Sequence, residues 1–313
     1  MMRHARFLVV ILFLLLPLTV HGQSPTPTSG AQTQAAKSSV ETVQFESKLV
    51  GAKLPYSVVL PPEYNSTEAR AKSFPVLYLL HGLTGHYTDR LSKSKLAEHA
   101  ARQQIIVVTP EGNNGWYTDS NVAPTDKYET HIIKELIPDV EKRFRAIKAR
   151  QGRAVAGLSM GGYGALKFGL KYPEMFVFAA SLSGALAATS INPDDPQTGA
   201  WVKPSIERAY GKIDNPVRAA NDVFKIVREL PAERIASLPY LYIDCGTEDF
   251  LIGSNMRMAA LLVERKIPHE YRQLPGKHDW PYWDRQVQEV LRIMEQRTSP
   301  AFAVKAAGAA ASR

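Results

Sequence analysis

The chain carries a single cysteine, Cys245, in 313 residues. No intramolecular disulfide can form. That cysteine ends the apolar run LPYLYIDC, where a free thiol behaves as a small buried hydrophobe rather than as a nucleophile. Apolar runs of membrane length are also scarce. The uncharged stretch Phe7–Val20 has 14 residues, against the roughly 20 that a spanning helix needs. Aromatic residues are not interleaved with basic runs, so the signature of nucleic-acid recognition is missing. There is no internal repeat and no second domain. A composition of 45% hydrophobic and 22% charged residues excludes a disordered chain.

Net charge is +8. Much of the excess lies in EKRFRAIKARQGR, residues 141–153. Basic residues there suit a helix C-terminus, where they complement the dipole, with Gly152 available to stop the helix. At the start, Arg3 and Arg6 precede the apolar stretch, and TVHGQS follows it. That order predicts an export signal over residues 1–22, cleaved before Gln23, and a periplasmic or extracellular protein with no stable membrane insertion. No cysteine follows the apolar stretch to carry a lipid anchor. Residues 23–40, rich in Ser, Thr, Pro, Gln and Ala, read as a flexible linker, and 298–313 as a loose tail.

Between the ends, strand and helix patterns alternate. VETVQFES, PYSVVL, FPVLYLL, QIIVVTP, RAVAGL, FVFAASLS, LPYLYID and HEYRQLP read as strands. Helical spacing falls at 91–103, 126–146 with Pro138 as a kink, 160–172, 252–266 and 282–297. The first two strands have no helix between them and should form an antiparallel edge. The rest should form a mostly parallel sheet covered on both faces, an α/β fold over 41–297. The connection 186–222 interrupts the rhythm and reads as a lid-like insert.

GLSMG, residues 157–161, stands between a strand and a helix. This is the context of a nucleophile elbow, which makes Ser159 the candidate nucleophile. The following helix turns its free N–H groups toward developing negative charge. A serine needs a base. His278, in LPGKHDWPYW after the last strand, fits; His81, at the end of LLH, reads as backbone geometry, and His86, His99, His131 and His269 as surface or helix residues. The base needs an acid to orient it. YIDCGTEDFLIG offers three. Asp244 lies within the strand and reads as structural. Asp249 and Glu248 both follow Gly246, and Asp249 is favoured. Asp279 adjoins His278 and reads as a helix cap. The order Ser159, Asp249, His278 matches α/β-hydrolases. Oxyanion donors are expected from the backbone N–H groups of Leu83 and Met160.

Taken together, LLHGLTG, NNGWYTDS, YETHIIKELIPDVE, GLSMGGYGAL, CGTEDFL and GKHDWPYW resemble the esterase D family of α/β-hydrolases, over roughly residues 41–297. That family includes S-formylglutathione hydrolases, feruloyl and acetylxylan esterases, small-acyl esterases and antigen 85 mycolyltransferases. The resemblance implies an α/β-hydrolase fold, an eight-stranded mostly parallel sheet, and the same triad and oxyanion donors. It also implies a small-molecule ester substrate and no metal or cofactor. Trp116 and Tyr117 resemble the pocket-side loop of these enzymes, and Trp280 and Trp283 line the entrance or pack the last helix. The 186–222 insert departs from the family pattern, and the export signal disfavours the cytosolic S-formylglutathione role. The expected activity is hydrolysis of short acyl esters. The alternatives are a feruloyl or acetylxylan-type carbohydrate esterase, a mycolyltransferase-like acyltransferase, or an idle binding protein on the same fold.

Overall fold

The computed structural model describes residues 38–298. The expected export signal (1–22), most of the linker (23–37) and most of the tail (299–313) lie outside them. The strands are β1 (Ser39–Val43), β2 (Glu46–Ser47), β3 (Ala52–Lys53), β4 (Tyr56–Leu60), β5 (Val76–Leu80), β6 (Ile106–Pro110), β7 (Arg153–Leu158), β8 (Phe178–Leu182), β9 (Tyr240–Gly246) and β10 (His269–Leu274). Eight of them form one sheet in the order β1-β4-β6-β5-β7-β8-β9-β10. β4 pairs antiparallel with β1 and β6, and every later pairing is parallel. This is the expected sheet, antiparallel edge included. Two boundaries shift. β1 takes Ser39 and Val40 from the expected linker, and the first predicted strand is broken so that β2 and β3 form a separate two-stranded ribbon.

The inner strands are buried along their whole length, as a sheet covered on both faces requires. Alternation divides their side chains between two layers. Val76, Tyr78, Leu80, Val108 and Val155 join one core, and Leu77, Leu79, Val107, Ala154 and Ala156 join the other. The helices are α1 (Asp89–Ser92), α2 (Leu96–Ala100), α3 (Tyr128–His131), α4 (Ile137–Arg143), α5 (Met160–Lys171), α6 (Lys203–Tyr210), α7 (Pro216–Asn221), α8 (Val223–Glu229), α9 (Ile252–Glu264) and α10 (Trp280–Thr298). Apolar residues of α4, α5, α8 and α9 fill the first core, and those of α2 and α10 the second.

Three helical expectations need correction. The segment 91–103 is two short helices, α1 and α2. The segment 126–146 is α3, a π-turn over Ile132–Leu136, and α4, with Pro138 in the first turn of α4. Proline lacks an amide proton, so it is tolerated at a helix start and not in the middle. The basic segment after α4 does not continue the helix to Gly152. Its arginines instead bind carbonyls and acids, Arg145 on Ala69 O (2.9 Å), Arg150 on Pro173 O (2.8 Å) and Arg153 on Glu141.

The 186–222 insert contains α6 and α7. Arg218, 4% exposed, gathers it by donating to the carbonyls of Thr189, Ile191, Gly211 and Lys212. Among the described residues no helix is long and apolar enough to cross a membrane.

Candidate active site

Ser159 links β7 to α5 with φ 54° and ψ −116°. A non-glycine residue in that region carries strain of about 1–3 kcal/mol, which the surroundings must hold. Its N–H donates to Leu182 O (2.9 Å), and its own carbonyl accepts from Tyr163 N and Ala185 N (both 3.0 Å). The flanking glycines are a steric necessity. A Cβ on Gly157 would lie 2.3 Å from the Gly161 backbone, and one on Gly161 would lie 2.4 Å from Leu80 O.

His278 Nε2 is 3.0 Å from Ser159 Oγ, and its Nδ1 is 2.8 Å from Asp249 Oδ2. Two loops distant in sequence meet here because their backbones touch. Thr247 N donates to Leu274 O (2.9 Å) and Glu248 N to Gly276 O (3.0 Å). A Cβ on Gly246 would stand 2.2 Å from Gly276 O, so this seam needs glycine. Asp249 is buried. Burial raises its pKa, but hydrogen bonds from His278 and the Leu251 N–H outweigh that, and the carboxyl sits below its ordinary range. It is therefore a carboxylate at neutral pH, facing the imidazole.

The backbone N–H groups of Leu83 and Met160 carry no hydrogen bond to the described residues. The Leu83 amide is oriented from behind. His81 is buried, and its Nδ1 lies 2.7 Å from Gly82 O. A carbonyl only accepts, so Nδ1 carries the proton. Gly82 C=O and Leu83 N–H belong to one planar trans peptide, so holding one end aims the other. His81 Nε2 is anchored in turn by Gly112 N–H (2.9 Å).

Above the serine lies a cleft of about 440 Å³, lined by Leu83, Lys93, Trp201, Phe250, Trp280 and Trp283 together with Ser159 and His278. A cavity of about 470 Å³ beside α8 and α9 is slightly larger. It contains no nucleophile with a paired base.

The family model described as "Putative esterase" matches residues 47–293. This chain belongs to that esterase family. The acetyl esterase of Caldicellulosiruptor saccharolyticus is 28% identical over 81% of this chain and 97% of its own. A solved ferulic acid esterase is 30% identical, with TM-score 0.71 over 84% of this chain and 99% of its own. The substrate-bound Staphylococcus aureus fluorophosphonate-binding serine hydrolase FphF is 25% identical, with TM-score 0.72 over 82% and 98%.

In this esterase the structure brings together Ser159, Asp249 and His278, and sets Trp280 and Trp283 on the cleft wall. It does not bring Trp116 or Tyr117 there. Both are buried packing residues. Trp116 donates from Nε1 to Ser205 Oγ (3.0 Å) and packs against Tyr163 and Tyr210. Tyr117 donates from its hydroxyl to His81 O (3.0 Å). Their consecutive left-handed backbones (φ 52° and 50°) turn the rings toward α5 and α6 rather than toward Ser159. Glu248 is exposed and stands 3.9 Å from Lys277. Asp244 accepts from Tyr282 OH (3.1 Å) inside the sheet, and burial pushes its pKa up to about 7. Asp279 caps α10 through Tyr282 N (3.1 Å). Burial pushes the Cys245 thiol up to about 12, so it is not a competing nucleophile. His99 and His131 lie in helices, as expected, but are buried against Asp284 and Glu135.

Sequence reading missed Phe250, Trp201 and Lys93 as wall residues. Phe250 adjoins Asp249 and could have been inferred. Trp201 and Lys93 come from an irregular stretch and a break between short helices, where no periodicity points to them.

Proposed function

We propose that this esterase is a serine carboxylesterase acting on short acyl esters. The observation that carries the reading is the continuous Ser159–His278–Asp249 hydrogen-bonded line at the floor of the cleft. Ser159 Oγ attacks the acyl carbon while His278 Nε2 takes its proton. Negative charge on the carbonyl oxygen is met by the Leu83 and Met160 N–H groups, each contributing about 3 kcal/mol to the barrier. The intermediate collapses, the bond from acyl carbon to alcohol oxygen breaks, and His278 protonates the departing alcohol. Water then gives a proton to His278 and attacks the acyl-enzyme. The acid leaves, and Ser159 regains its proton. Asp249 holds the imidazole and balances its charge throughout.

A panel of p-nitrophenyl esters of increasing acyl length, with methyl ferulate beside it, tests this. The reading requires a burst of p-nitrophenol from the acetate ester and mass labelling of Ser159 by a fluorophosphonate. Absence of both supports an idle binding fold. The aromatic wall of Trp201, Phe250 and Trp280 favours a second reading, a feruloyl-type esterase, which methyl ferulate turnover above that of the acetate would support. We further propose that the protein is exported after cleavage near Gln23, on the charged and apolar order of residues 1–22. The intact mass of protein from the medium or periplasm decides this, and retention of Met1–Val20 refutes it.

A further inference from the structure

Phe250 is out of place by the usual logic of a core. Its side chain is large and apolar, yet it is 69% exposed, immediately after the buried Asp249. Burial therefore contributes little to keeping it there. Its ring lies against His278, with centroids 4.7 Å apart and planes at 53°. A second ring, Trp283, meets the same imidazole at 4.8 Å and 88°. Trp283 is fixed, since it is buried, perpendicular to Trp280 at 5.5 Å, and its carbonyl accepts from Arg90 (3.3 Å). The imidazole is thus bonded at both nitrogens and flanked by two aromatic rings.

We propose that Phe250, together with Trp283, is a positioning residue that confines the His278 ring between Ser159 and Asp249 and stabilises the imidazolium formed when the serine proton is taken. This rests on the serine carboxylesterase reading. The face of an aromatic ring attracts a cation within about 6 Å of its centroid more strongly than it attracts the neutral form of the same group. The neutral imidazole gains little. The imidazolium that accompanies the tetrahedral intermediate gains more, and an interaction that grows toward the transition state raises kcat.

The other charges facing His278 are Asp249 in direct contact, Lys277 and Asp279 beside it in the chain, and Glu248 against Lys277. Asp89 and Lys93, paired at 3.0 Å, lie on the same cleft. A change at Phe250 leaves all of them in place. Leucine keeps an apolar side chain and removes the ring; tyrosine keeps the ring.

The experiment compares full-length wild type, Phe250→Leu and Phe250→Tyr with p-nitrophenyl acetate from pH 5 to 9, alongside thermal melts. Phe250→Leu should lose about twofold to fivefold in kcat, with KM little changed and the melting temperature unmoved. The acid limb of its kcat/KM profile should move to lower pH, because the protonated imidazole has lost a favourable neighbour. Phe250→Tyr should restore both. The proposal is overturned if KM rises while the limb stays put, because the ring is then a substrate wall. It is also overturned if the limb moves to higher pH, because the ring is then a solvent shield. If wild type shows no burst and Ser159 takes no fluorophosphonate, the esterase reading fails and this proposal with it. A wild-type burst with an unaffected Phe250→Leu defeats the proposal alone.

Discussion

Lys167 Nζ, on α5 and with no exposed surface, lies 2.9 Å from Glu129 Oε2. The same ammonium reaches Tyr117 O (2.6 Å), Thr118 Oγ1 (2.8 Å) and Asn221 Oδ1 (3.2 Å), while Lys171 and Tyr172 bind the other Glu129 oxygen. One buried ion pair thus joins α5, the 116–118 turn, α3 and the end of the insert. Burial works against the Glu129 charge, but the two lysines and the tyrosine hydroxyl overcome it and hold its pKa down at about 2.

That pairing has a pH signature. A carboxyl whose folded pKa is depressed adds stability that is fully present above its unfolded value and lost as pH falls through the folded value. For Glu129 the window runs from 4.5 down to about 2. Glu129→Gln should destabilise the protein by about 3 kcal/mol at pH 7, since it strands a buried ammonium. The gap from wild type should narrow at pH 3. Urea unfolding at both pH values checks this, and an equal gap at both contradicts it.

Asp244 has the opposite sign. Its folded pKa, raised by burial from 3.8 to about 7, means the native state holds a proton that the unfolded chain has released. Stability from this group is complete below pH 3.8 and declines as pH rises to about 7. Asp244→Asn should remove that decline, so the variant should gain on wild type between pH 5 and pH 8. Denaturant midpoints that track each other across the range would falsify this.

Asp249→Asn should retain the fold and lose about 10⁴-fold in kcat, because an amide leaves the imidazole tautomer wrong. Glu248→Gln should stay within about twofold, since its carboxylate is 60% exposed and only near Lys277. Steady-state kinetics with p-nitrophenyl acetate separates the two, and comparable losses would reassign the acid.

Trp201 brings the insert to the cleft while remaining 65% exposed. Trp201→Ala should leave the melting temperature unchanged, as exposed substitutions do. It should shift the ratio of kcat/KM between methyl ferulate and p-nitrophenyl acetate by about threefold or more. An unchanged ratio in a folded variant removes the insert from substrate choice.

The sequence by itself determined the sheet, the sharp turn at Ser159 and the chain order of Ser159, Asp249 and His278. Each rests on short-range rules: apolar runs of five or six residues between helical segments, glycines spaced around Ser159, and a few histidines and acids at strand ends. The acid and base could be named because only a few polar residues stand at those ends. Tertiary structure decided what depends on two distant backbones. It set Asp249 rather than Glu248 against His278, beside the seam of Gly246 and Gly276, and left Glu248 in solvent. It sent Trp116 and Tyr117 into the core, where they pack against Tyr163, Tyr210 and Phe168 of distant helices. It placed Phe250 against His278, a contact of residues 28 apart in sequence that no periodicity encodes.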